Sequence, residues 1–224
     1  MSTTVPTGNI YDKYRSKNPI ERRLMRGFFA ALFDALPRRH PATVLEVGVG
    51  EGEISAKLHS IYPDSHIVGV DLHDEALAVD WRMRGFAGVY ADIVRLPFPP
   101  MAFDLVMGIE VLEHVDDPVA ALAELVRVSR GRLVLSVPRE PIWRVANMAR
   151  GKYLAALGNT PGHIQHWSRR SFAELVGSQL EVVSVTTPFP WTMIEARPHG
   201  ARHNGSVPST TSPPAVPAVP ARQA

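Results

Sequence analysis

The segment Val44-Leu45-Glu46-Val47-Gly48-Val49-Gly50-Glu51-Gly52-Glu53 decides the fold. β-Branched and aliphatic residues lead into a turn with glycine at alternate positions, and a helical pattern follows from about Glu53 to Ile61. Strand, glycine turn and helix in that order form the unit that binds nucleotide cofactors at the carboxyl edge of a sheet. Gly48, Gly50 and Gly52 permit torsions that a Cβ forbids, and they let a ligand approach the main chain. The spacing is G-x-G-x-G, not the G-x-G-x-x-G of dinucleotide sites, which disfavours a nicotinamide dehydrogenase. Glu46, ahead of the first glycine, would repel a pyrophosphate. It suits a ligand with a cationic amino-acid end.

Outward from this unit, strands and helices alternate. Ile67–Asp71 reads as a second apolar strand whose terminal acid is placed to accept from both hydroxyls of a ribose. Gly88–Ile93 reads as a third, with Asp92 placed to accept from an adenine amino group. Phe103–Gly108 is a fourth and Arg132–Val137 a fifth, apolar at its centre like a strand buried on both faces. Asn18-Pro19 opens a helix to about Leu36, with Leu24, Phe28, Leu32 and Leu36 on one stripe. Asp74 caps a helix to about Arg84. Pro118 opens another to about Val128, with Ala121, Leu122, Leu125 and Val126 as its buried face. Residues 138–168 break the alternation with prolines and glycines, an insertion where open α/β sheets keep their ligands. A helix over Ser171–Gly177 and strands over Leu180–Val185 and Trp191–Ala196 follow.

The chain has 224 residues, 45% of them hydrophobic, enough for one packed domain. It has no cysteine, so disulfides and thiolate zinc sites are excluded, and a reducing cytoplasm is expected. No run of about 18 uncharged apolar residues and no basic-then-apolar leader occurs, so neither a membrane span nor export is expected. A net charge of +2 does not call for a nucleic-acid partner. Residues 1–18, with Tyr11, Lys13, Tyr14 and Lys17, are expected to form a leader or lid. Residues 19–197 form the domain. From Pro198 onward there are six prolines and no acidic residue, so 198–224 is expected to be a disordered tail.

The motifs LEVGVGEG, VGVDL, ADIVRLPFPPMAFDLV and GIEVLEHVDDP, in that order, resemble those of class I S-adenosylmethionine (SAM) methyltransferases from roughly Ala42 to Arg197. The resemblance implies an α/β, Rossmann-like sheet of seven strands with helices on both faces, ended by a β-hairpin. It implies SAM as cofactor, held by Glu46, Gly48, Gly50, Asp71, Leu72, Asp92, Ile93 and Ile109. A monomer or homodimer acting on a small molecule is expected. A non-catalytic SAM-binding protein is the alternative, and the intact acids and glycines speak against it.

Glu110-Val111-Leu112-Glu113-His114 follows the fourth strand, and in a helical or turn conformation its two carboxylates share a face. This E-x-x-E-H segment resembles one that holds a divalent metal in small-RNA 2′-O-methyltransferases and in ubiquinone-pathway O-methyltransferases. In the RNA group a later histidine, in H-x-x-x-W-x-R-x-x-F, completes the site, and His163 to Phe172 carries that pattern. The implied ligands are Glu110, Glu113, His114 and His163, for Mg²⁺ or Mn²⁺. Without a metal, His163 or His166 is the candidate general base, with Glu113 in the same catalytic group. The plainer reading makes these histidines uncharged pocket residues. Proton removal is needed for a hydroxyl acceptor, so O-methylation is expected. Trp143, Arg144, Asn147 and Arg150 fall at helical spacing in the insertion, near Arg139 and Lys152. That lining suits a sugar or oligosaccharide, and the chain is similar to small bacterial sugar O-methyltransferases such as those of mycobacterial methylmannose polysaccharide synthesis. A phenol or quinone precursor is the alternative acceptor.

Overall fold

The computed structural model describes residues 17–200. Most of the expected leader and nearly all of the expected tail lie outside the described residues. The strands are β1 (Thr43–Val47), β2 (His66–Asp71), β3 (Ala87–Tyr90), β4 (Phe103–Ile109), β5 (Ser129–Pro138), β6 (Leu180–Thr186) and β7 (Trp191–Pro198). They form one seven-stranded sheet in the order β3-β2-β1-β4-β5-β7-β6. β1 to β5 pair in parallel, and β7 runs antiparallel to both β5 and β6, so the expected terminal hairpin is present.

The helices are α1 (Pro19–Ala35), α2 (Glu53–Ile61), α3 (Glu75–Arg84), α4 (Pro118–Val128), α5 (Ile142–Ala149) and α6 (Arg169–Gly177). Their starts follow local chemistry. Asn18 accepts from the Ile20 N–H, Asp74 from the Ala76 N–H, and Asp117 from the N–H groups of Val119 and Ala120. Ser168 and Ser171 form a reciprocal cap at the start of α6. The sheet is covered on both faces. Val44, Ile67, Leu105 and Met107 pack with Phe28 and Leu32 of α1 and Leu58 of α2. Leu45, Val47, Val68 and Val106 pack with Leu122 and Leu125 of α4 and Phe172 of α6. Truncating a fully buried residue such as Leu32 or Phe103 to alanine would cost about 2–5 kcal/mol.

One expectation needs correction. The third strand stops at Tyr90, so Asp92 stands in the loop beyond it. The insertion carries α5, where Trp143, Arg144 and Asn147 fall at helical spacing, and Trp143 packs it on the α1 side of the sheet. Strand order reverses at β1, whose neighbours are β2 and β4, and the crevice beyond their carboxyl ends is where such sheets bind ligands.

Candidate active site

The chain turns sharply at the end of β1. Gly48 has φ +72, and a Cβ built there would stand 2.0 Å from Val111 Cγ2. Gly52 has φ +80, and a Cβ there would meet the Phe86 ring at 2.3 Å. Only glycine fits either place. Asp71, at the end of β2, pins this loop. Its Oδ2 accepts from the Gly50 N–H at 2.7 Å and its Oδ1 from the Leu72 N–H at 2.8 Å. Trp81 Nε1 donates to the Gly50 carbonyl at 2.7 Å from the other side. Asp71 therefore builds the loop as well as facing the cleft, and burial raises its pKa against those two backbone bonds.

Strand alternation puts Glu46 on the face covered by α2. There Ser55 Oγ donates to Glu46 Oε2 at 2.5 Å. Glu46 is buried, and burial pushes its carboxyl up to about 8; the Ser55 hydrogen bond opposes the rise and the charge of Asp71 adds to it. Asp92 Oδ1 accepts from the Val94 N–H at 3.1 Å. Glu46, Gly48, Gly50, Asp71, Leu72, Asp92, Ile93 and Ile109 all line one cleft of about 1020 Å³. That volume is at the upper end for a single drug-sized ligand and leaves room for an acceptor beside a cofactor.

A second group lies on the same cleft. Ligand atoms of Glu113, His114 and His163 all lie within 4.8 Å of one another. The main chain brings them together: the N–H groups of Ile164 and Gln165 both donate to the Glu113 carbonyl, at 2.9 and 3.0 Å. His114 Nδ1 is 2.9 Å from the Gly162 carbonyl. A carbonyl only accepts, so Nδ1 carries the proton and, in the neutral ring, Nε2 carries the lone pair. The His163 ring stands edge-on to His114, centroids 4.9 Å apart, and stacks on Trp143 at 6.0 Å. Trp143 is held by a bond from Nε1 to Thr160 Oγ1 at 2.9 Å.

Two residues expected in this group are elsewhere. Glu110 has φ +57, and its carboxylate accepts from Trp191 Nε1, so it is not in the cluster of Glu113, His114 and His163. The positive φ turns the chain between Glu110 and the short 3₁₀ turn Leu112–His114, which separates two side chains that a continuous helix would have paired. His166 is exposed, lies outside the cleft lining and faces Asn159 Oδ1 at 2.9 Å. The basic lining expected from the insertion is also reduced. Arg139 and Arg144 do not line the cleft, and Arg144 Nε donates to the Leu157 carbonyl. Arg150 and Lys152 do line it, 3.5 and 3.8 Å from Glu21 of α1. Sequence reasoning missed Ser55, Glu21, Thr160 and Trp191. Only the place of Ser55 on the inward face of α2 could have signalled its role.

Residues 45–135 match the methyltransferase domain family. That segment is similar to the core of SAM-dependent methyltransferase domains. The chain is 36% identical over 127 residues to a demethylmenaquinone methyltransferase of Beutenbergia cavernae, covering 55% of this chain and 52% of that one. It is 35% identical over 103 residues to a ubiquinone biosynthesis O-methyltransferase of Hahella chejuensis, covering 43% and 41%. The chain spans between about a third and a half of the curated relatives it matches. In structure the domain is similar to a SAM-dependent methyltransferase from Aquifex aeolicus, with TM-score 0.62 at 15% identity over 80% of this chain and 93% of that one. No helix among the described residues is long and apolar enough to cross a membrane.

Proposed function

We propose that this methyltransferase domain transfers a methyl group from SAM to a hydroxyl on a ring-bearing, largely apolar acceptor, a phenol or quinone precursor. The convergence of Glu113, His114 and His163 beside Trp143 on the cofactor cleft carries this reading. Bound SAM supplies an electrophilic methyl on a sulfonium and leaves as the neutral thioether, S-adenosylhomocysteine. The glycine loop and acids would hold it, with Glu46 at the amino-acid end, Asp71 at the ribose and Asp92 at the adenine. His114 Nε2, its tautomer set by the Gly162 carbonyl, takes the acceptor's proton, and His163 lies beside it. Trp143 and Trp191 offer an aromatic wall, 5.7 Å between centroids, against which an acceptor ring can lie. The loss of Arg139 and Arg144 from the lining favours such an acceptor over a sugar.

Glu113, His114 and His163 also suit a divalent ion. One carboxylate and two imidazoles match Mn²⁺ or a later transition ion better than Mg²⁺, which prefers an all-oxygen shell. An ion there would lower the acceptor's pKa, and the same residues would orient it.

The test is transfer from radiolabelled SAM to catechols, phenols, methyl glycosides, amines and carboxylic acids, with and without EDTA. A methylated phenol is expected. Loss of product in EDTA and recovery with Mn²⁺ would assign the metal; full activity in EDTA would leave the histidine alone as base. Transfer confined to amines or carboxylates would refute the hydroxyl reading.

A further inference from the structure

The hydroxyl of Thr160 is held so that its proton has one use. Trp143 Nε1 donates to Thr160 Oγ1 at 2.9 Å, and an indole nitrogen only donates. Asn147 Nδ2 donates to the same oxygen at 3.2 Å. The neighbours of that amide fix which way it faces. Its nitrogen meets the Gly158 carbonyl, which only accepts, at 2.9 Å. Its oxygen meets a terminal nitrogen of Arg150, which only donates, at 2.5 Å. Both amide protons of Asn147 are therefore committed, one to Gly158 and one to Thr160. A hydroxyl has one proton and two lone pairs. With both lone pairs of Thr160 Oγ1 occupied, its proton serves only to donate. Among the described residues it donates to no protein acceptor.

Thr160 lines the cleft beside the histidines. Its carbonyl accepts from the His163 N–H at 3.1 Å, and Asn159 Nδ2 donates to the His163 carbonyl at 3.2 Å, so one strapped loop carries both side chains. Trp143 joins them from α5: its ring stacks on His163 while its nitrogen holds Thr160. Asn147, the other support, is buried on the same helix. A donor fixed in this way discriminates between ligands. An oxygen acceptor satisfies it, whereas an alkyl group or an ammonium leaves it unmet. We propose that Thr160 donates a hydrogen bond to a second oxygen on the acceptor, a carbonyl or ether oxygen on the ring that lies against Trp143. The site then selects oxygenated phenols over alkyl phenols. The proposal rests on the hydroxyl-transfer reading above.

The test measures binding, so it separates from a failure of that reading, which would show as a lack of methylated product. The protein saturated with S-adenosylhomocysteine is titrated calorimetrically with matched pairs of phenols. These are 3- and 4-hydroxyacetophenone against the corresponding isopropenylphenols, and 2-methoxyphenol against 2-ethylphenol, so that only the oxygen differs within a pair. In at least one pair the oxygenated member is expected to bind roughly three- to tenfold more tightly. Thr160→Ser should keep that preference and Thr160→Val should lose it. Valine also deprives Trp143 and Asn147 of their acceptor, but that loss weakens both members of a pair alike, so the change in preference reads the donated bond. Equal binding within every pair by the wild-type protein, or binding of none, would overturn the proposal whether or not the variants fold. A preference that survives in Thr160→Val would overturn it as well. So would a Thr160→Val variant that binds S-adenosylhomocysteine weakly but 5′-methylthioadenosine normally, because the proton would then serve the cofactor's own carboxylate. A preference lost in Thr160→Val, without methylation of any phenol, would sink hydroxyl transfer and leave the subsite standing.

Discussion

Replacing Glu46 with glutamine tests whether a protonated acid is built into the proposed cofactor cleft. The side chain is buried beneath α2, and burial lifts its pKa from an ordinary 4.5 to about 8. A carboxyl whose pKa is higher in the folded than in the unfolded chain binds more protons when folded, at any pH between the two values. Folding stability therefore falls as pH rises through that window, from about 4.5 to about 8. At 1.36 kcal/mol per pH unit, the step from pH 5.5 to 7.5 would cost the ligand-free protein up to about 2.7 kcal/mol. For a domain of this size that is a loss of about 5–10 °C in Tm. Glutamine keeps the shape and an acceptor for Ser55 Oγ but does not titrate. Urea unfolding of both proteins at the two pH values gives the difference directly. Asp71, also raised by burial, titrates in both proteins, so the glutamine variant keeps a residual slope and the wild type carries the Glu46 slope on top of it. Parallel stability-against-pH curves for wild type and Glu46→Gln would refute the reasoning. The wild type should also bind S-adenosylhomocysteine more tightly toward pH 8, because its ammonium favours the ionised acid.

Two further substitutions test the loop and the histidines. Gly48→Ala places a methyl 2.0 Å from Val111 Cγ2 at a φ of +72, so differential scanning calorimetry should show a loss of about 1–3 kcal/mol or more, with weakened cofactor binding. Normal stability and affinity in that variant would mean the loop is not closed by this contact. His114→Ala should lower kcat at least about a hundredfold while sparing S-adenosylhomocysteine affinity, whereas His166→Ala should keep full activity. Loss in His166→Ala alone would return the base to the exposed histidine.

Much of the scaffold was legible because it is written locally. The β1–glycine–α2 unit and the caps at Asn18, Asp74 and Asp117 involve neighbours in sequence, and all appear where their residue types predict. The meeting of His114 with His163 was legible only through a motif resemblance, since no local rule joins residues so far apart. Glu110 shows the limit. Its spacing from Glu113 suggested a shared face, but its carboxylate answers to Trp191 on β7, and its backbone turns to reach it. His166 shares a motif with His163 yet points to Asn159, because the strap between Glu113 and Gln165 fixes only one of the two rings over the cleft. The helical spacing of Trp143, Arg144 and Asn147 marked helix α5, but its place depends on packing of Trp143 against the α1 side of the sheet, which no local pattern states.

The acid-rich wall bears on release as well as capture. Glu46, Asp71, Asp92, Glu110 and Glu113 line the cleft in which, on the reading proposed above, a cofactor would arrive with a positive sulfur and depart without it. Wherever these side chains are ionised, their attraction falls at the moment the methyl leaves, with no movement of the protein. The reaction itself would thus discharge the grip, so that spent cofactor is exchanged for fresh by a change in the ligand's own charge.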